Sequence, residues 1–168
     1  NVPVVGEIVG RAQVGLRARI LVQHLNRTLV RNAHIEIAFL MRVLLDTHAL
    51  LWWLAGDPRL GAEAHRLLRD PETAVYLSAV SVLEMALKAR LGKLELPLPA
   101  GALAADAIAE DGFVGLPVTL RHAGGVERLP LHHRDPFDRL LVAQAQAEGL
   151  TLLSADPQLR GYEVDLAW

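Results

Sequence analysis

The chain contains no cysteine. Disulfides, thiolate zinc sites and a cysteine nucleophile are therefore excluded. The composition suits a reducing compartment, so a cytoplasmic location is expected. There is also no apolar run of the roughly 20 residues needed to span a bilayer. The longest, over 40–54, is broken by Arg42, Asp46 and His48, and no membrane association is expected. Internal repeats and low-complexity tracts are missing, and the histidines fit no H-E-x-x-H spacing.

What is present is enough apolar sequence for a core, 52% hydrophobic against 21% charged, in 168 residues that fit one ordinary domain. The net charge of −2 is unevenly spread. Of 17 basic and 19 acidic residues, five Arg and two Glu fall within 1–40, leaving 12 basic against 17 acidic beyond. An acidic body is an odd start for handling nucleic acid, because phosphate binding rests on Lys and Arg. It becomes reasonable if part of the acidity is a metal site, since a bound cation reverses the local charge.

Two unequal segments follow. Residues 1–40 are Arg-rich, with apolar periodicity over 20–29 and 35–40 that allows a helix or a strand. Arginines interrupt the segment throughout, so a secretory signal is not expected. It reads as an N-terminal extension of unclear role, with Met41 as the natural start of the domain over 41–168. From Met41, strand-like pieces (42–46, 74–78, 113–117, 151–154 and a candidate fifth at 161–164) alternate with helical ones (47–55, 61–69, 81–91, 102–110, 119–127 and 138–148). The alternation predicts a three-layer α/β/α fold with a central parallel sheet of four to five strands.

Four acids fall at related places in this pattern. Asp46 ends the first strand, and Glu84 lies one turn into the helix after the second. Asp138 opens the helix before the fourth strand, and Asp156 lies two residues past Ser154 at that strand's end. Ligands of open α/β sheets bind outside the carboxyl ends of the strands, so all four can reach one rim. Clustered carboxylates repel and raise one another's pKa, a cost that a divalent cation removes. Oxygen-only ligands suit Mg²⁺ or Mn²⁺. Such an ion lowers the pKa of a bound water and stabilises phosphate charge in an in-line displacement, which fits phosphodiester hydrolysis. Three of the acids also have purely structural readings. Ser81 and Glu84 match a capping box. Asp135-Pro136-Phe137-Asp138 matches a helix cap, an opening Pro and an acid favoured by the helix dipole. Asp156-Pro157 matches a cap or turn. Asp46 is the hardest to explain as structure, although capping the next helix stays open for it.

At these residues the chain resembles the PIN-domain ribonucleases, specifically the VapC-type toxins of bacterial toxin–antitoxin pairs. The matching segments are LLDTHALLWW (44–53), SAVSVLE (78–84), HRDPFDRLLVAQA (133–145) and LLSAD (152–156), in the family's order and covering nearly all of 41–168. The resemblance implies an endoribonuclease dependent on Mg²⁺ or Mn²⁺, with Asp46, Glu84, Asp138 and Asp156 as catalytic and metal-holding residues. It also implies an RNA substrate, a cognate antitoxin protein and a homodimer. Asp138 aligns with the family's helix motif, while Asp135 stands as a ligand, a supporting acid or only a cap. Thr47 and Ser154 are read as hydroxyls that orient carboxylates or water.

Other polar and aromatic side chains have plainer readings. Arg134 and Arg139 are candidate phosphate contacts, whereas Lys88 and Arg90 read as a solvated charged face. His48, His122, His132 and His133 are expected at the surface or in support of the acids, with His133 nearest the rim. Trp52 and Trp53 read as core or partner surface rather than base-stacking platforms. Two other functions compete. A haloacid-dehalogenase-type phosphatase would use Asp46 as nucleophile, but its usual second acid is His48 here. A non-catalytic PIN-like domain that only binds RNA or a partner would not need all four acids.

Overall fold

The computed structural model describes residues 41–168; the readings made for 1–40 lie outside the described residues. Five strands form one sheet in the order β3-β2-β1-β4-β5, and every pairing is parallel. They are β1 (Met41–Leu45), β2 (Thr73–Ser78), β3 (Val114–Leu116), β4 (Thr151–Leu153) and β5 (Leu166–Ala167). The helices are α1 (Thr47–Ala55), α2 (Ala62–Arg69), α3 (Ala79–Arg90), α4 (Ala100–Glu110), α5 (Leu120–Gly125) and α6 (Pro136–Glu148), with short 3₁₀ turns at Val126–Arg128 and Pro157–Gly161.

The central strand explains the layering. Val43, Leu44 and Leu45 are all fully buried, because successive side chains point to opposite faces and both faces are covered. Val43 and Leu45 join Val75, Leu77 and Leu153 in one core with α1, α2, α4 and Met85 of α3. Leu44 joins Leu152 and the Leu141–Val142 stretch of α6 in the other. The register is tight: Leu45 lies opposite Leu77 on one side and Leu153 on the other. The carboxyl ends of β1, β2 and β4 are therefore level with one another. The chain leaves β1 towards β2 on one side and returns to β4 on the other, so the switch point of the topology falls between β1 and β4. That is where a ligand crevice is expected.

Several boundaries differ from the sequence reading. The fifth strand is Leu166–Ala167 rather than 161–164, because Asp156 caps a 3₁₀ turn that carries the chain through Gly161 first. Strand β3 ends at Leu116, one residue before Pro117, whose ring leaves no N–H for a ladder. Helix α5 ends at Gly125 and tightens into 3₁₀; a Cβ on Gly125 would lie 3.3 Å from that of Ala143, so the glycine lets α5 close on α6. Trp52 and Trp53 are half-buried against the first core, Trp52 edge-on to Trp168 and Trp53 beside Phe113.

Helix α3 starts at Ala79, not Ser81, and its cap is the fully buried Ser78. The Ser78 hydroxyl accepts the Val80 amide at 2.9 Å and donates to Gln144 of α6. One side chain thus caps the helix that carries Glu84 and ties it to α6. Ser78→Ala is expected to cost about 2 kcal/mol, a lost cap plus an orphaned buried acceptor, read as a lower midpoint in urea with an unchanged slope.

Candidate active site

Asp46 caps α1: its Oδ1 accepts the His48 amide at 2.7 Å, and its Oδ2 accepts the Ser154 hydroxyl. The Asp46 amide continues the ladder to Leu153 at 3.2 Å. The carboxylate is 4% exposed. Burial pushes its pKa up, but the neighbouring His48 side chain, the Ser154 hydroxyl and the His48 amide outweigh that, and the net direction is down. The His48 imidazole stands 3.7 Å from Oδ1, an ion-pair rather than a hydrogen-bond distance, and the approach of Asp46 raises its pKa.

Ser154 also accepts the Asp156 amide at 3.1 Å, so one hydroxyl fixes both Asp46 and the turn carrying Asp156. Asp156 accepts the Gln158 amide through Oδ1 and faces His133 Nε2 at 3.0 Å through Oδ2. Asp138 approaches the same nitrogen, with its Oδ2 3.4 Å away. His133 Nδ1 accepts the Asp135 amide at 3.0 Å. Because Nδ1 is an acceptor, the ring proton sits on Nε2 and is donated to Asp156. The His133 amide donates to the Tyr162 hydroxyl at 2.9 Å, which holds the loop in place.

Glu84, on α3, is 3% exposed. Its Oε2 accepts the Thr47 hydroxyl at 2.6 Å and its Oε1 accepts the Lys88 ammonium. Burial works against the charge on Lys88, but the Glu84 hydrogen bond and the charges of Glu84, Asp135 and Asp138 prevail and raise its pKa. The capping-box reading of Glu84 is overturned, since Ser81 lies inside the helix and its buried hydroxyl has no hydrogen-bond partner.

Asp135 caps α6, accepting the Phe137 amide at 2.8 Å, with Pro136 in the first turn. Among its three sequence readings the cap is the one its contacts describe. Asp138, one step deeper, carries the largest perturbation: burial first, then the charges of Asp46, Asp135 and Glu84, offset in part by His133, push its carboxyl to about 7.

The four acids read from the sequence thus gather at one rim, but not as a bare carboxylate ring. Ligand atoms of His133, Asp138 and Asp156 lie within 4.8 Å of one another; Asp46 and Glu84 lie outside that tight group, and Asp138 feels both charges. Thr47 and Ser154 orient Glu84 and Asp46. Two side chains were under-read. His133 is a wedge between two acids, hinted at only by its place beside the HRDPFD segment. Lys88 is not a solvated surface charge; its i,i+4 spacing from Glu84 was the available signal.

Arg139 also departs from expectation. It is buried, and its guanidinium donates to the carbonyls of Pro130 at 2.7 Å, Val126 at 3.0 Å and Leu129 at 3.2 Å, so it folds the turn before α6 rather than reaching for phosphate. Arg134 is exposed at a cavity of about 530 Å³ beside His133. His122 is buried rather than superficial, 2.9 Å from Glu148 and reciprocating the Thr119 cap. Arg90 is exposed, and His132 stacks edge-on to Tyr162.

The PIN domain model matches residues 43–164, and the chain belongs to that family. A curated relative, Ribonuclease VapC22 of Mycobacterium tuberculosis, is 30% identical over 121 residues, 71% of this chain and 91% of the relative. Two solved structures share the fold. VapBC2 from Rickettsia felis bound to a DNA fragment from their promoter has a TM-score of 0.56 at 12% identity, over 76% of this chain and 98% of that one. FitAB bound to the IR36 DNA fragment has a TM-score of 0.51 at 21% identity, over 74% and 93%. The dehalogenase-type reading of Asp46 gives way to this family membership.

The Asp138 carboxyl keeps its proton to about pH 7 in the fold, while the unfolded chain releases it near 3.8. The unfolded state therefore loses the proton first, and stability falls as pH rises across that window. Asp46 acts in the opposite sense, its contribution being lost only as pH falls below the ordinary carboxylate range. In EDTA, Asp138→Asn is expected to abolish the decline between pH 4 and 7 and to melt above wild type at pH 8. A parallel decline in both proteins would refute it.

Proposed function

We propose that the chain is a VapC-type toxin: a divalent-metal-dependent endoribonuclease that hydrolyses RNA phosphodiester bonds and is held inactive by a cognate antitoxin. The observation that carries the reading is the close grouping of His133, Asp138 and Asp156, whose ligand atoms lie within 4.8 Å of one another beside the buried Asp46 and Glu84, inside a PIN domain. Buried acids crowded in this way fit a divalent cation, and their hard oxygen donors fit Mg²⁺ or Mn²⁺ better than a softer ion. His133 stands against both Asp156 and Asp138 through Nε2 and steadies the carboxylates.

Asp46, Asp138 and Asp156 would hold the ion, with Glu84 completing the set. Bound there, it would supply Lewis acidity towards a phosphodiester and the attacking water. The chain's own part is to hold oxygen atoms still. Ser154 and the His48 amide fix the two oxygens of Asp46. His133 fixes Asp156 from the side facing Asp138. Thr47 and Lys88 fix Glu84. Pre-set positions spare reorganisation as charge develops on the phosphate.

Domain 41–168 carries this activity, with 1–40 as an extension, and the protein works in the cytoplasm as a homodimer. The relative named a ribonuclease and the toxin–antitoxin complexes sharing the fold support the RNA substrate and the antitoxin. Among the described residues no helix is long and apolar enough to cross a membrane.

With Mg²⁺ or Mn²⁺ present, wild type is expected to cleave total cellular RNA, EDTA to stop cleavage, and Asp46→Ala to slow it more than about 100-fold. Equal cleavage by both proteins would sink the assignment. Absence of cleavage together with absence of metal binding by calorimetry would point to a non-catalytic binding domain.

A further inference from the structure

Lys88 is the one permanent cation that the described structure places against the carboxylate centre. It follows Glu84 by one helical turn, in the order that favours an i,i+4 pair. Glu84 is almost fully buried and has both oxygens engaged, one by Thr47 and the other by Lys88. The lysine side chain remains 34% exposed, so it is open to solvent while its ammonium pairs with the buried Glu84. An ammonium has three N–H donors. Among the described residues Glu84 is its only hydrogen-bond acceptor, which leaves two donors directed away from the pair. Asp135 and Asp138 add to the positive character of Lys88, placing the ammonium beside the acids of α6 as well as on its own helix. The other basic candidates are placed differently: Arg139 is spent on three carbonyls and Arg134 opens onto the cavity beyond His133.

We propose that Lys88 binds the RNA backbone at the carboxylate centre, its ammonium held by Glu84 and its two remaining donors directed at a phosphate oxygen of the strand being cut. A phosphate reaching the acids must approach a strongly negative rim. A fixed cation beside the acids offsets that repulsion, and Glu84 keeps it from swinging into solvent. This assignment rests on the ribonuclease reading and names the part of the substrate that the site grips.

The test is equilibrium binding of a short single-stranded RNA, with Ca²⁺ replacing Mg²⁺, as a function of salt. Wild type is compared with Lys88→Gln and Lys88→Arg. Glutamine can still donate to Glu84, so melting curves separate loss of charge from loss of fold. Lys88→Gln is expected to weaken binding about tenfold or more and to reduce the slope of log affinity against log salt by about 0.7, one single-strand phosphate contact. Lys88→Arg keeps the wild-type slope. If Lys88→Gln melts far below wild type, Glu84→Gln combined with Lys88→Met removes both charges and is read by the same slope. Wild-type affinity and slope in the neutral variants would overturn the role of Lys88 while leaving the nuclease reading intact. Failure of wild type both to bind and to cleave RNA would overturn both.

Discussion

Like charges held together in a buried rim are the constraint on which the rest of this structure depends. Asp46, Glu84 and Asp138 are mutually repulsive, and Asp135 adds its charge from the start of α6. Asp46 and Glu84 are almost fully buried, so the repulsion between them is poorly screened. The fold meets this cost in three ways. The His48 side chain, the Ser154 hydroxyl and the His48 amide favour the charge on Asp46 despite its burial. A lysine neutralises Glu84. Asp138 is left without enough compensation and retains its proton up to about 7. The imbalance is concentrated on one group, which is the arrangement expected where a cation is to be taken up rather than where a salt-bridge network is complete.

The supporting contacts run across elements far apart in the chain. Ser154, after β4, reaches Asp46, after β1, across 108 positions. Thr47, at the start of α1, reaches Glu84 on α3. Tyr162, beyond the 3₁₀ turn, holds the His133 amide, and His133 in turn holds Asp156. Asp46 and Glu84 are therefore each positioned by a neighbour from a different strand end, so the level register of the parallel sheet sets the geometry of that part of the site. Helix ends do double service. Asp46, Asp135 and Asp156 each cap the element that follows through Oδ1. Structural and functional readings of these acids are compatible rather than exclusive.

That compatibility also explains what could be read in advance. The continuous apolar character of 43–45 reported a strand buried on both faces, and the alternation with helices reported a parallel sheet; both are properties of local sequence. The acids could be placed at a rim because strand ends fix direction. The contacts that steady the acids were out of reach. His133 lies between Asp138 and Asp156 because a backbone amide and Tyr162 orient it, and neither contact has a sequence period. Arg139 has the composition of a phosphate binder, yet three carbonyls of an irregular turn claim it. Lys88 was misjudged for a different reason: its spacing from Glu84 was visible, but only burial of Glu84 makes that pair more than a surface contact. Strand β5 was displaced because Asp156, Pro157 and Gly161 first spend the chain on a turn.

The long separation between Ser154 and Asp46 has a consequence for synthesis on the ribosome. A chain emerging from its amino end presents Asp46 and Glu84 early, with Lys88 already beside Glu84 to blunt the charge. Asp138 follows much later, and Ser154 and Asp156 later still. Until β4 slots in beside β1, Asp46 lacks its hydroxyl donor and the rim lacks its fourth acid. A nascent chain is thus chemically incomplete for most of its elongation, and the reactive centre closes only as the last third of the domain folds onto the first.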